Sequence, residues 1–274
     1  MNVPATMPDI LKRIPAFAVL AAVVAALTLP VHAAALLSDD FGGMSVDKTL
    51  WRLPKSETSA DGTFVGRTQF RGGDKAALPP VADGNVCLDI QSFNRRQSSF
   101  YGTELISNQA FSVGKGLDIT VRARMKNADY RGIVGGLFLY SLSTGSNTIH
   151  DEIDFEMLTN VPDKIQTNIY GNEALGIGHS EMVPYRLGSI ANEHSYEIKW
   201  QPNRVSWLID GEVVRTTTSN IPTRPMNFYL NIWAPDKYWP QGFSDTIQPS
   251  DTQASNIVLD SLCIASVTIK PLKP

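Results

Sequence analysis

"HSYEIKWQPNRVSWLIDGEVVRT", residues 194–216, alternates apolar and polar side chains along three short segments. Two turn signals separate these segments, Gln201-Pro202-Asn203 and Asp210-Gly211. Asp-Gly between alternating segments is a strong signal for a β-hairpin. Because successive side chains of a strand point to opposite faces, the stretch predicts three antiparallel strands with one buried face.

The same alternation recurs along the rest of the chain, for example in "GLDITVRARMK", residues 116–126. Strong helical periodicity is absent after the N-terminal stretch, and neither an internal repeat nor a low-complexity linker interrupts residues 36–274. Short strands separated by Gly, Pro and Asn turns are typical of sandwiches and jelly rolls. The sequence therefore predicts an all-β fold, a β-jelly roll sandwich of two antiparallel sheets, as one domain over residues 34–274.

The first 33 residues predict an export signal. Lys12 and Arg13 precede an apolar, Ala-rich stretch over residues 14–29, and small residues follow Pro30. A membrane anchor is the alternative, but the apolar run is short and rich in Ala. We therefore expect cleavage and a secreted or periplasmic protein, with no membrane contact after cleavage.

The net charge and the cysteine content limit the possible binding partners and the cellular compartment of the protein. The formal net charge of −3 comes with no long basic run, which argues against nucleic acid as a partner. We expect a monomer. Cys87 and Cys263 lie in strand-like segments near opposite ends of the chain, and they could form one disulfide or remain two buried thiols.

Two segments alternate core residues with amides and aromatics. In "KIQTNIYG", residues 164–171, the second face carries Gln166, Asn168 and Tyr170. In "MNFYLNIWAP", residues 226–235, the second face carries Asn and aromatic side chains, including Asn231 and Trp233. Such a surface can stack on sugar rings and hydrogen-bond their hydroxyls, whereas the alternative is that the aromatics cover part of the core. Two such strands favour a cleft.

The segment "HDEIDFEMLTN", residues 150–160, carries three carboxylates on one face of a predicted strand. Glu152, Asp154 and Glu156 alternate with apolar side chains that can face a core. Like charges in a row are unfavourable, and Asp and Glu are poor strand formers. Crowding raises the pKa of at least one carboxyl, which places a protonated acid beside an ionised carboxylate, as glycosidic cleavage requires.

The spacing of these residues permits that chemistry. Four residues of strand separate the Cα atoms of Glu152 and Glu156 by ~13 Å. On a concave sheet the two side chains can lean inward to the ~5–5.5 Å separation of retaining glycosidases. A calcium site is one alternative, although a single strand cannot wrap six or more ligands around an ion. An exposed acidic strand without function is the other.

The segment Glu152-Ile153-Asp154-Phe155-Glu156 resembles the E-x-D-x-E signature of glycoside hydrolase family 16. Its unbulged spacing is more similar to the lichenase and xyloglucan-transferase branches. Residues 194–211 are similar to the family's H-x-Y-x-x-x-W-x-P-x-x-I-x-W-x-V-D-G segment, and residues 226–235 resemble its "M-N-L-W" strand. The likeness covers roughly residues 36–270.

The resemblance implies a concave sheet that forms an open cleft, and it assigns roles. Glu152 resembles the nucleophile, Glu156 the general acid/base and Asp154 the helper carboxylate. The expected substrate-binding residues are Tyr140, Asn168, Tyr170, Trp207, Asn231, Trp233 and Trp239. No cofactor or catalytic metal is expected, and the family's structural calcium site would fall near Asp260.

Three features depart from lichenases. Arg122 stands where they carry Glu on a sugar-contacting strand, and His150 stands where they often carry Trp. An anionic polysaccharide would explain Arg122, whereas a lone Arg on a strand is more often solvated. The long segment 235–256 carries Tyr238, Trp239 and Phe243, which would form either cleft walls or a cap on the sandwich edge.

Together these observations predict a secreted retaining endo-β-glycosidase that hydrolyses internal bonds of a polysaccharide. A β-glucan such as β-1,3-1,4-glucan is the leading substrate, and a bacterial exopolysaccharide is the second. One alternative is a transglycosylase that uses the same residues. The other is a lectin-like sandwich that binds without cleaving, and the presence of both Glu152 and Glu156 counts against it.

Overall fold

The alternating segments form strands in a computed structural model that describes Met1 and residues 34–57, 66–73, 76–93, 99–143, 149–174 and 178–273. The strands are β1 (Leu37–Asp39), β2 (Trp51–Arg52), β3 (Thr68–Phe70), β4 (Val81–Ala82), β5 (Asn85–Gln91), β6 (Phe100–Phe111), β7 (Leu117–Met125), β8 (Val134–Ser143), β9 (Ile149–Leu158), β10 (Lys164–Ala174), β11 (Glu181–Pro184), β12 (His194–Gln201), β13 (Arg204–Ile209), β14 (Glu212–Thr217), β15 (Met226–Trp233) and β16 (Val258–Pro271). A short 3₁₀ helix spans Gln253–Ser255.

Strand pairing builds two layers that share one strand. The order β11-β10-β9-β8-β15-β6 makes the layer that holds the acidic strand, which we call the acidic sheet. The order β5-β16-β7-β12-β13-β14 makes the other, which we call the opposite sheet. The twelve-residue strand β6 links them, since it pairs with β15 and, at Tyr101, with Gln91 of β5. The expected all-β jelly roll is confirmed. Among the strands of the described residues, β3 and β6 form the one parallel pair.

The predicted hairpins form as the turn residues indicate. Strand β12 ends at Gln201 and β13 begins at Arg204, while Asp210-Gly211 connects β13 to β14. Asp210 and Gly211 both have positive φ, 51° and 82°, as a tight hairpin turn requires. The Asp210 carboxylate accepts hydrogen bonds from the backbone N–H of Ser195 and from His194 Nδ1, at 2.9 and 2.7 Å. His194 and Tyr196 are buried, which makes them packing residues of the opposite sheet.

The core lies between the two sheets. From β9, Ile153, Phe155 and Met157 are buried, and the Phe155 ring contacts the ring of Tyr196 on the opposite sheet with centroids 5.4 Å apart. Burial of each such side chain contributes about 1.5–3 kcal/mol. The apolar half of the acidic segment therefore anchors β9, and the carboxylate half faces away from the core.

A disulfide joins Cys87 of β5 to Cys263 of β16, which decides between the two alternatives. The two residues are directly opposite each other in the antiparallel pair, with an S–S distance of 2.07 Å. The bond connects positions 176 residues apart in the sequence, so it ties a strand near the start of the domain to the last one.

Of the two explanations for Arg122, a contact with an anionic polysaccharide and a solvated side chain, the structure supports the second. Arg122 lies on β7, in the opposite sheet, where its exposed guanidinium pairs with Glu193. Its neighbours Val121 and Ala123 face the core, so Arg122 points away from the sandwich. It is a solvated residue on the far side of the molecule from the carboxylates of β9.

Residues 33–274 form one compact unit. The export signal predicted over residues 1–33 lies outside the described residues, apart from Met1. Within the part of the chain that the structure describes, no helix has the length and apolar character needed to cross a membrane.

Candidate active site

The three carboxyls lie on the middle strand of a group of three in the acidic sheet, between β8 and β10. Each sits level with a specific pair of neighbours: Glu152 with Tyr140 and Tyr170, Asp154 with Phe138 and Asn168, and Glu156 with Gly136 and Gln166. Because all of these positions share one face of the pleated sheet, they form a continuous floor around the carboxyls.

Glu156 is held by an amide and is poised to carry a proton. The side-chain Nε2 of Gln166 donates a hydrogen bond to Glu156 Oε2. Burial and the charge of Glu152 raise the pKa of Glu156 to about 8, although the bond from Gln166 lowers it. The carboxyl is therefore mostly protonated at neutral pH, which is the state a general acid needs.

Asp154 is the most enclosed of the three, with an exposure of 2%. Burial, together with the charges of Glu156 and Glu152, raises its pKa well above its usual range. The backbone N–H of Asn168 and the positive charge of Arg215 act in the opposite direction and lower this pKa. The Oδ1 atom of Asp154 is buried and has no hydrogen-bond partner among the described residues.

Glu152 is partly exposed and has a basic partner. His150 Nε2 lies 3.3 Å from Glu152 Oε2. Burial raises the pKa of Glu152, whereas the hydrogen bond and charge of His150 lower it. An accessible carboxylate with a proton donor at its side suits a nucleophile.

Trp207 does not lie in the cleft, contrary to the expectation from the sequence. It is fully buried, and its ring N–H donates to the backbone carbonyl of Asp154 at 2.9 Å. The guanidinium of Arg215 covers the ring at 4.7 Å. Trp207 therefore supports β9 from the core side, and its burial prevents contact with a sugar.

The other expected substrate-binding residues lie on the cleft side of the acidic sheet, at different depths. Tyr140 and Tyr170 are partly exposed, while Asn168 and Asn231 are buried at 7% and 1% exposure. A side chain at Gly136 would place its Cβ 2.5 Å from Asn231 Oδ1, so glycine here lets the amide lie across β8 toward Glu156. That Oδ1 has no partner among the described residues.

Trp233 and Trp239 form a stacked pair at the Glu156 end of the floor. Their ring centroids are 5.5 Å apart with an interplanar angle of 17°. Trp233 is 6% exposed and lies beneath Trp239, so the outer ring is the one that can meet a ligand. The loop that carries Trp239 is held by Arg67, whose guanidinium donates to the carbonyls of residues 235, 244 and 247. This part of segment 235–256 therefore covers Trp233 at that end of the acidic sheet, and its role as a wall of the cleft stays a prediction.

Sequence reasoning missed two residues of the floor. Glu104 of β6 accepts a hydrogen bond from Asn231 Nδ2 at 3.1 Å, and burial raises its pKa to about 7. Phe138 of β8 stacks on Tyr229 of β15 with centroids 5.1 Å apart. An acid inside the apolar segment "YGTELIS", residues 101–107, was the available signal for Glu104.

Metal binding stays a prediction. Within the described ranges, no group of three or more His, Cys, Asp or Glu side chains is arranged to hold a metal ion. Asp260, the expected calcium neighbour, accepts hydrogen bonds from the backbone N–H groups of Asn127, Ala128 and Ser261. In this arrangement its carboxyl holds the turn after β7.

Comparison with known proteins adds the decisive observation. The family model of glycosyl hydrolases family 16 matches residues 80–250, which include all three carboxyls. The chain belongs to glycoside hydrolase family 16. This confirms the resemblance read from the E-x-D-x-E segment.

Relatives in family 16 include bacterial β-glucanases. The Bacillus amyloliquefaciens enzyme is 39% identical over 190 residues, which are 69% of this chain and 72% of that protein. The Bacillus subtilis strain 168 enzyme is 38% identical over 110 residues, 40% of this chain and only 44% of its own length. Among solved structures, a prokaryotic β-1,3-1,4-glucanase (lichenase) from a mouse hindgut metagenome is 28% identical with a TM-score of 0.66. That match covers 86% of this chain and 99% of the lichenase.

Proposed function

We propose that this family 16 protein is a retaining endo-β-glycosidase that hydrolyses internal bonds of a β-glucan. The observation that carries the proposal is the row of Glu152, Asp154 and Glu156 on one face of β9. Within this row, burial and mutual repulsion raise the pKa of Glu156 to about 8, while a histidine contacts Glu152. The row thus offers a protonated acid and a carboxylate on the same face.

In the first step, the Glu152 carboxylate forms a bond to the anomeric carbon of the substrate. The bond between that carbon and the glycosidic oxygen breaks, and Glu156 donates its proton to the departing oxygen. The raised pKa of Asp154 favours its protonated form, and in that form the carboxyl can donate a hydrogen bond to a neighbouring carboxylate and spread the charge of this row.

In the second step, water attacks the anomeric carbon and gives a proton to Glu156, which now acts as a base. The bond from that carbon to Glu152 breaks, and both carboxyls return to their starting states. Two displacements at the same carbon retain its configuration.

The floor supports a polysaccharide as substrate. Tyr140 and Tyr170 present partly exposed aromatic faces beside Glu152, while Trp239 presents one beyond Glu156. The names of the relatives favour β-glucan, with β-1,3-1,4-glucan as the first choice.

Export is part of the proposal. The disulfide between Cys87 and Cys263 is stable in an oxidising compartment, and the N-terminal residues predict a signal peptide. A secreted or periplasmic enzyme would also meet a polysaccharide that does not enter the cytoplasm.

The test measures new reducing ends released by residues 34–274 and by the variant Glu152→Gln. The panel contains β-1,3-1,4-glucan, β-1,3-glucan, xyloglucan, agar-type galactan and an acidic bacterial exopolysaccharide. We expect release from β-1,3-1,4-glucan that is lost in the variant. Products longer than the substrate would instead identify a transglycosylase, and binding without cleavage anywhere in the panel would identify a lectin-like protein.

A further inference from the structure

The imidazole of His150 is a buried titratable group beside the proposed nucleophile. His150 precedes Glu152 by two positions on β9, so both side chains lie on the same face of the acidic sheet. The residue is only 1% exposed, and its ring packs against that of Tyr170 with centroids 4.1 Å apart. The ring therefore has one fixed orientation.

Its two nitrogens have different partners, which determines where the protons are. Nδ1 lies 3.1 Å from the backbone carbonyl oxygen of Glu173. A carbonyl oxygen can only accept, so Nδ1 must carry the N–H. Nε2 then lies 3.3 Å from Glu152 Oε2. It either carries a second proton, which makes the ring an imidazolium, or accepts a hydrogen bond from a protonated Glu152 carboxyl.

The other charged and titratable groups around the ring are already engaged or lie further away. On β10, the Glu173 carboxylate pairs with His179 at 2.9 Å, and on β8 the Tyr140 ring centroid is 5.8 Å away. Asp151, next in the chain, pairs with Arg224 at 3.0 Å. In the described part of the chain, Glu152 therefore supplies the only carboxylate oxygen within 4 Å of this imidazole.

We propose that His150 is a positioning residue that shares a proton with Glu152 and keeps this carboxylate ionised and oriented. The inference rests on the proposed function, since it takes Glu152 as the nucleophile. As imidazolium, Nε2–H donates to Oε2, and the buried pair is then neutral overall with its negative charge on the nucleophile. Glu173, through its carbonyl, keeps the donor nitrogen aimed at Glu152 by fixing the other one.

Loss of the imidazolium should shift the pH profile of kcat/KM in a direction that can be measured. In His150→Phe, Glu152 without its positive partner becomes protonated at higher pH, so the acid limb of kcat/KM moves up by about one pH unit. His150→Gln retains a neutral N–H donor of similar reach and is expected to move the limb by less. A purely structural role would instead lower kcat/KM by the same factor at every pH.

A second measurement does not depend on catalysis. Residues 34–274 contain three histidines, His150, His179 and His194, so the imidazole N–H signals in NMR spectra can be assigned with His150→Gln. In the wild type we expect N–H signals from both ring nitrogens of His150, and in Glu152→Gln we expect the Nε2–H signal to be lost, because its anionic partner is gone. The other two histidines, paired with Glu173 and Asp210, serve as internal controls.

The kinetic and the NMR measurements distinguish a failure of the proposed function from a failure of the inference about His150. If the wild-type protein cleaves no polysaccharide, the proposed function fails, and the Nε2–H signal of His150 still decides whether the proton is shared. An Nε2–H signal that is the same in the wild type and in Glu152→Gln would overturn the inference, as would an acid limb that is the same in His150→Phe, His150→Gln and the wild type.

Discussion

Strands β9 and β7 show how differently one sandwich treats charge on its outward faces. On β7, Asp118 pairs with Lys270 at 3.4 Å and Arg122 pairs with Glu193, so opposite charges lie side by side. On β9, three carboxyls lie in a row on one face, and among the described residues His150 is the basic side chain that contacts this row. Both strands bury their alternate residues in the same core.

The difference separates what folding requires from what chemistry requires. Paired charges on a solvated strand contribute little to stability but also cost little. Buried like charges are unfavourable, and the carboxyls of β9 respond with raised pKa values. Folding alone gives no reason for that arrangement, whereas acid-base catalysis does.

The sharpest way to test the comparison is to remove one carboxyl from each sheet. Glu156→Gln is expected to lower kcat on a cleaved β-glucan by about 10³-fold, because no general acid remains. The matched control is Glu197→Gln on β12, where the carboxylate pairs with Lys199 at 3.0 Å on the opposite sheet. Equal losses in both variants would show that the row on β9 is not special.

The variant Glu156→Gln also tests how the buried carboxyl affects the stability of the fold at different pH values. The folded-state pKa of Glu156, about 8, lies above its unfolded value, so the folded protein binds more protons between these two pH values. Stability from this group is present below pH 4.5 and lost as pH rises through about 8. We expect chemical denaturation to show wild-type stability falling from pH 5 to pH 8, with a smaller fall in Glu156→Gln.

Two arginines contrast a buried guanidinium with an exposed one. The Arg215 side chain is 11% exposed, pairs with Glu181 at 3.3 Å and donates to the carbonyls of Thr167 and His179. Arg215→Met should lower the free energy of unfolding by about 2 kcal/mol, because the buried carbonyl of Thr167 loses its donor. Arg122→Met, at a site that is 57% exposed, should change it by about 0–1 kcal/mol. Urea denaturation of both variants measures this, and equal values would contradict the distinction.

The smallest effect concerns the cleft wall. Trp239→Ala removes the outer ring of the stacked pair and should raise KM about tenfold with little change in kcat, about 1.4 kcal/mol of binding. Tyr238→Ala is the control, since the neighbouring ring is 79% exposed. A larger effect from Tyr238 would place the substrate on the other side of this loop.

Some residues of the candidate active site could be predicted from the sequence and others could not. The two-residue period of side chains along a strand correctly placed Glu152, Asp154 and Glu156 on one face, because this alternation is a local property of a strand. It also grouped Trp207 with the other apolar residues of β13, but the resemblance suggested a cleft position that burial rules out. The sequence left two explanations for Arg122 open, and strand pairing decided for the solvated one, because β7 joins the opposite sheet.

The sequence by itself determined the strands, their turns, the family and the grouping of the three carboxyls, because all of these depend on neighbours along the chain. Tertiary structure alone decided which strands lie side by side. That pairing placed Glu104 against Asn231, joined Cys87 to Cys263 and brought Glu173 of β10 to the imidazole of His150. The physical reason is that strand pairing depends on hydrogen bonds and packing between segments far apart in sequence, which a local pattern of side chains does not encode.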